Sequence, residues 1–255
     1  MANEIQKVLD DMVANFKRIL DSNLVGVYLH GSLSMNCYNP ISSDIDILVI
    51  VKDVISHATK VRLVEMLISI ESENPSQSIE MSLMRKDELI NGHHPFHFLL
   101  HYSKLHRVNY ESNGTLCEDS HDYDLAAHLA MTKSRGRCLC GEDIERLEIF
   151  IKTEDFLDSV LRDLVYDEEE IKLKPCYFIL NLCRTLKFLE DHTFSSKREG
   201  GQWALGKYGA EYDDVIDRML CQYMQNAPNE VRYLEDNKYI AKALLKKVQA
   251  CLLMP

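Results

Sequence analysis

The sequence predicts an α/β (α+β) N-terminal domain with a small mixed sheet, residues 1–150, followed by an all-α C-terminal domain, residues 151–255. Short apolar, β-branched runs at 24–30, 44–51 and 78–84 read as strands separated by helical or turn segments. From about residue 153 onward the apolar residues recur only at helical spacing. The changeover falls in the charged stretch 141–152, and the chain holds no internal repeat or low-complexity segment.

In chain order, Ile5, Val8, Leu9, Met12, Phe16 and Leu20 mark an amphipathic helix over 3–21. The run 24–30 is a strand closed by Gly31 and Ser32. Residues 44–51 alternate and then become wholly apolar, as a buried strand does. Residues 57–71 have helical periodicity, ended by Asn74, Pro75 and Ser76. Over 78–84, Ile79, Met81 and Leu83 alternate with Ser78, Glu80 and Ser82, so Glu80 falls on the polar face of a third strand. Residues 96–110 are read as a fourth strand, and a helical pattern starts over 122–133. Helices are expected near 153–166, 172–191, 196–208, 211–225 and 229–252.

At 255 residues, with 46% hydrophobic and 27% charged residues, the composition is that of an ordinary globular protein able to bury a substantial core. The net charge of −11 argues against nucleic acid as a partner, because neutralising phosphates takes Lys and Arg. An acidic surface suits solubility and also attracts a cationic small substrate. None of the eight cysteines forms a CxxC pair and several lie in apolar runs, so they read as free thiols in a reducing compartment. The polar N-terminus lacks a signal-peptide core and no apolar run reaches membrane-spanning length. The expectation is a cytoplasmic monomer with no membrane partner.

Most of the chemistry lies in HGSLSMNCYNPISSDIDILVIV. A strand ends at His30, and the turn at Gly31 and Ser32 offers backbone N–H groups and a hydroxyl to phosphate oxygens. Glycine lets the backbone approach closely. About a dozen residues on, Asp44 and Asp46 share one strand face. Two adjacent carboxylates repel unless a cation lies between them, and Mg²⁺ takes one or two carboxylates plus phosphate oxygens. A lone Asp-x-Asp is an ordinary acidic strand edge; the Gly-Ser turn before it and the buried strand after it favour a phosphate–metal site. Glu80 is the candidate third carboxylate, with Glu71 and Glu73 as rivals by count. His93, His94, His97 and His101 could suggest zinc, and His97 and His101 would share a helical face, but this segment reads as a strand.

Gly31, Ser32, Ser43, Asp44 and Asp46 resemble the motif of the nucleotidyltransferase superfamily: Gly-Ser, roughly ten residues, then Asp-x-Asp before apolar residues. ILNLCRTLKFLEDHTFSSKREGGQWAL resembles the C-terminal helical domain of the aminoglycoside adenylyltransferases, the enzymes that modify spectinomycin and, in some members, streptomycin. The resemblance runs in order over 24–250 and implies ATP and Mg²⁺, two ions, as cofactors. It implies metal ligation by Asp44, Asp46 and Glu80, with Glu80 as general base for the acceptor hydroxyl. Gly31, Ser32 and Ser43 would position the triphosphate, and Arg184 and Lys197 would reach it from the helical domain. Tyr223 corresponds to a tyrosine near adenine, and Asp122 or Asp124 to a nucleotide-contacting aspartate. Read from the residues alone, Arg184 in an otherwise apolar helix requires an anionic partner, and Ser195 and Ser196 read as the cap of the next helix.

The implied reaction is transfer of AMP from Mg·ATP to an aminocyclitol hydroxyl, with pyrophosphate released and ATP drawing the two domains together. The acceptor residues are expected to be Glu80, His101, Ser103, Glu170, Tyr177 and Asn181. Tyr177, Asn181 and Arg184 are four and three apart and form one helical stripe. Members that accept streptomycin are understood to use an indole after the third carboxylate and acidic residues before the helical arginine. Here residues 97–103 contain no Trp, and Lys174 and Tyr177 fall near the positions that would be acidic. Spectinomycin, modified at its 9-hydroxyl, is therefore the expected acceptor. The alternatives are a nucleotidyltransferase acting on a protein or RNA, which predicts a basic groove or partner-binding face, and a catalytically silent nucleotide-binding member, which predicts a missing carboxylate.

Overall fold

A computed structural model describes residues 2–164, 168–225 and 234–253. The chain divides into two units, Met1–Ser159 and Val160–Pro255. In the first, α1 (Ala2–Leu20), β1 (Leu24–Leu29), α2 (Gly31–Ser34), β2 (Asp44–Val51), α3 (His57–Glu73), β3 (Ser78–Arg85) and α4 (Lys86–Asn91) are followed by β4 (Phe96–Tyr102), α5 (Lys104–Asn113), β5 (Cys117–Asp122), α6 (Leu125–Arg135) and β6 (Arg137–Gly141). The strands form one sheet in the order β5-β4-β3-β2-β1-β6. It is mixed: β2 and β3 run parallel, and every other neighbouring pair is antiparallel.

Side-chain alternation divides this sheet between two cores. Ile45, Ile47 and Val49 of β2 and Ile79, Met81 and Leu83 of β3 pack with Leu9, Met12 and Phe16 of α1 and Leu63 and Leu67 of α3. Leu48, Ile50 and Met84 point the other way and pack with Leu125 and Leu129 of α6. By the same alternation Asp44, Asp46 and Glu80 belong to the α6 face. The face that reads as polar in sequence is therefore largely covered, and Ser82 on it is only 2% exposed.

The structure differs from the sequence expectations in three places. The expected strand over 96–110 stops at Tyr102, and Lys104–Asn113 is a helix with no buried residue. Its periodicity is blurred because no core selects an apolar stripe. β5 (CEDSHD) and β6 (RCLCG) lie at the two sheet edges; their sequences lack an apolar strand signal because neither contains a fully buried residue. The helix expected over 172–191 is broken at Lys174, where α8 (Glu168–Leu173) ends, and Pro175 starts the next helix at a position that needs no N–H donor.

α7 (Thr153–Arg162) spans the division between the units. The second unit continues with α8, α9 (Pro175–Asp191), α10 (Lys197–Ala204), α11 (Ala210–Gln225) and α12 (Leu234–Leu252). Expected helical residues 165–166 and 229–233 lie outside the described residues. α9 is the central element: Ile179, Leu182, Cys183 and Leu186 pack with Ile216 and Met219 of α11 and Ile240 and Leu244 of α12. Among the described residues, no helix is long and apolar enough to cross a membrane.

Candidate active site

The first unit assembles its carboxylates through strand register. In the parallel β2–β3 pair, Asp44 lies opposite Ser78 and Asp46 opposite Glu80. Asp44 is exposed and Asp46 half-buried, and the Glu80 side chain is 29% exposed. The three thus line one partly open end of the α6 face. Glu71, a rival by count, has a structural role: buried, it accepts from the Ile79 N–H at 2.8 Å, the Tyr102 hydroxyl at 2.6 Å and Arg107 Nη1 at 3.0 Å. Glu73 closes the C-terminus of α3 on the exposed surface.

Gly31 is dictated by this geometry. Its φ is +64°, and a Cβ built there would lie 1.7 Å from Asp46 Oδ2. The glycine therefore meets two requirements, a left-handed backbone and close approach to a carboxylate. The His30 N–H donates to the Asp46 carbonyl at 3.0 Å, which ties the turn to β2. Ser32 Oγ is buried with no hydrogen-bond partner. A buried orphan hydroxyl is costly unless a ligand supplies its partner, and a phosphate oxygen meets that requirement. Ser43 Oγ instead accepts from the Asn39 N–H at 3.1 Å, fixing the loop that leads into β2.

Among the described residues, no three His, Cys, Asp or Glu side chains form a preformed metal site. His97 and His101 lie on strand β4, where residues four apart share a face but stand about 13 Å from each other, too far to bind one ion.

Histidines surround Glu80. His101 Nε2 is 3.9 Å and His128 Nε2 4.0 Å from Glu80 Oε1. Ser82 Oγ is 2.9 Å from His101 Nδ1. Burial, with His106 and His128 nearby, pushes the His101 pKa down to about 4, so His101 is neutral near pH 7. Burial, then His128, holds His30 well below the usual imidazole range. Burial also works against protonation of His128, but Glu80, Asp46, Asp124 and Asp122 outweigh it and raise its pKa. Tyr38 is pushed up to about 12 by burial and by Asp44 and Asp46. Sequence reasoning missed His30, His128 and Tyr38; adjacency of His30 to the Gly-Ser turn was the one available signal. Ser103 engages His106, with Oγ 2.9 Å from Nδ1. Asp122 Oδ1 accepts the Asp124 N–H at 2.9 Å, while Asp124 precedes α6 and its carbonyl accepts the His128 N–H at 3.0 Å.

In the second unit Tyr177, Asn181 and Arg184 all lie on α9, four and three residues apart. The Tyr177 hydroxyl donates to Asp163 Oδ2 at 2.9 Å, and Lys197 Nζ stands 4.4 Å from the centre of the Tyr177 ring. Asn181 is 3% exposed, with both amide atoms unbonded. Arg184 is half-buried and has no salt bridge among the described residues, which leaves its guanidinium available to an anion. A cavity of about 400 Å³ is lined by Arg162, Asp163, Glu170, Lys174, Tyr177 and Phe178, among others. Tyr223, on α11, packs at the margin of the helical core.

Residues 149–249 match the family model described as aminoglycoside adenylyltransferase, C-terminal domain. Over 205 residues the chain is 27% identical to a spectinomycin 9-adenylyltransferase of Staphylococcus aureus, covering 79% of this chain and 78% of that relative. The chain is thus similar to the aminoglycoside adenylyltransferases, through the C-terminal domain of that family and along most of the length of this relative. It is also 21% identical over 248 residues to a spectinomycin 9-adenylyltransferase of Campylobacter jejuni, covering 96% and 95% of the two chains. The crystal structure of the spectinomycin adenyltransferase AAD(9) from Enterococcus faecialis, solved with ATP and spectinomycin, has the same fold: the TM-score is 0.79 at 20% identity, over 96% of this chain and 99% of that one.

Proposed function

We propose that the protein is an ATP-dependent adenylyltransferase that transfers AMP to the 9-hydroxyl of spectinomycin. The observation that carries this reading is the β2–β3 register, which puts Glu80 directly opposite Asp46 on the face that also bears Asp44. The match to the C-terminal domain of the aminoglycoside adenylyltransferases and the substrate in the relatives' names support the acceptor.

Asp44 and Asp46, with Glu80, are the residues suited to hold Mg²⁺, which supplies charge neutralisation to the phosphates. Gly31 gives the turn its close approach, and Ser32 Oγ gains the partner it lacks by donating to a phosphate oxygen. Ser43 contributes through the loop it braces. Glu80 takes the proton of the acceptor hydroxyl, whose oxygen then attacks the α-phosphorus. The bond to the pyrophosphate oxygen breaks as the new phosphoester forms, and pyrophosphate leaves. Arg184 and Lys197 offset triphosphate charge, Tyr223 contacts the adenine, and Asp122 or Asp124 contacts the nucleotide.

Acceptor contacts are assigned to Glu80, His101, Ser103, Glu170, Tyr177 and Asn181. The doubly unpaired amide of Asn181 favours a ligand role. The Tyr177 hydroxyl, which donates to Asp163, lines the same cavity as Glu170. Lys174 lines the same cavity as Glu170 and opposes the guanidinium groups of streptomycin. The reading includes a cytoplasmic monomer acting without nucleic acid or membrane. The test is pyrophosphate release from Mg·ATP with each drug: turnover is expected with spectinomycin and little or none with streptomycin. Streptomycin turnover equal to or above spectinomycin turnover overturns the acceptor, and loss of activity on both leaves the acceptor to be found elsewhere.

A further inference from the structure

α10 contains two adjacent glycines, Gly200 and Gly201, in its interior. Glycine is locally unfavourable there, and no turn requires it. The start of α10 is already fixed by a capping box: Ser196 Oγ accepts the Glu199 N–H at 3.1 Å, and Glu199 Oε2 accepts the Ser196 N–H at 2.8 Å. Packing explains the glycines, and explains them differently. A Cβ on Gly200 would lie 2.6 Å from the N, Cα and Cβ atoms of Arg184. The nearest atoms to a Cβ on Gly201 would be side-chain carbons, Leu180 Cδ2 and Leu220 Cδ2 at 2.8 Å and Leu220 Cγ at 3.1 Å. Leucine tips can rotate away; the backbone of α9 cannot. Gly200 is thus where the two helix backbones touch. Three residues earlier on α10, Lys197 stands over the Tyr177 ring, two turns before Arg184 on α9.

We propose that Gly200 is a positioning residue for ATP. Its bare Cα seats α10 on the Arg184 backbone, so that the Lys197 ammonium and the Arg184 guanidinium are presented together as one triphosphate-binding pair. This rests on the nucleotide reading above.

The test uses the full chain and four variants: Gly200→Ala, Gly201→Ala, Lys197→Ala and the Gly200→Ala/Lys197→Ala pair. Affinity for Mg·α,β-methylene-ATP is measured by calorimetry, KM and kcat by pyrophosphate release, and folding by far-UV circular dichroism. Gly200→Ala is expected to stay folded, weaken nucleotide binding roughly tenfold or more and raise KM for ATP, with kcat at saturating ATP within about threefold. Gly201→Ala is expected to change affinity by less than about threefold. The double variant is expected to bind within about threefold of Lys197→Ala, because a residue acting through Lys197 has little left to perturb once the ammonium is gone. Wild-type affinity in Gly200→Ala, additive losses in the double variant, or equal losses in both glycine variants overturn the proposal. So does an unfolded Gly200→Ala, since the contact would then hold the unit together rather than aim its cations. If the unsubstituted protein binds no nucleotide, the failure belongs to the nucleotide reading and appears before any variant is compared.

Discussion

Gly31→Ala tests the first unit's site at its tightest point. A non-glycine residue at φ +64° costs about 1–2 kcal/mol. The new methyl would also lie 1.7 Å from Asp46 Oδ2, 2.5 Å from its Cγ and 3.0 Å from its Cβ. Rotating the carboxylate away relieves the first contact but not the last, so strand β2 or the turn must shift, at a cost of about 1–3 kcal/mol. The sum, about 2–5 kcal/mol, corresponds to a fall in Tm of roughly 4–20 °C for a unit of this size. Displacing Asp46 by even about 1 Å is expected to lower turnover roughly 10²-fold. Thermal melts by far-UV circular dichroism and pyrophosphate release measure the two effects. The double variant Gly31→Ala/Asp46→Ala separates them: without the carboxylate, only the backbone cost and residual crowding remain, so the stability losses fall short of additive. A Gly31→Ala protein within about 0.5 kcal/mol of the parent and with normal turnover refutes the reasoning.

Asp44→Asn and Asp46→Asn are each expected to abolish AMP transfer without unfolding the protein, because an amide cannot neutralise Mg²⁺; near-normal turnover at saturating Mg²⁺ would reject the assignment. Glu80→Gln should still bind ATP while losing turnover by roughly 10²-fold or more, as single-turnover kinetics will show. Glu71→Gln should do the opposite, costing about 1.5–3 kcal/mol in denaturant unfolding through its buried charge-assisted hydrogen bonds while the kinetics of the folded fraction hold. His101, neutral when folded and with its pKa down to about 4, contributes stability above its unfolded pKa of about 6.5 that is lost as pH falls from there towards about 4. Melts of Mg²⁺-free protein should therefore lose less stability over that interval in His101→Gln.

The amino-acid sequence by itself determined the features that depend on local periodicity. Alternation puts Asp44 and Asp46 on one face of β2 and Glu80 on the polar set of β3, and a 3.6-residue repeat aligns Tyr177, Asn181 and Arg184. Residues 104–113 were not legible, because an uncovered helix carries no apolar stripe, and the edge strands β5 and β6 were missed for the corresponding reason in a sheet. Only the tertiary structure decided what depends on pairing between distant segments. The β2–β3 register sets Glu80 rather than Glu71 beside Asp46, since both carboxylates are plausible by count and only hydrogen bonding separates them. α6 brings His128 towards Glu80 from a helix with no motif of its own, and the crossing of α10 on α9 turns an unremarkable Gly200 into a backbone contact. These are contacts between elements, and a one-dimensional pattern holds no information about which faces will meet.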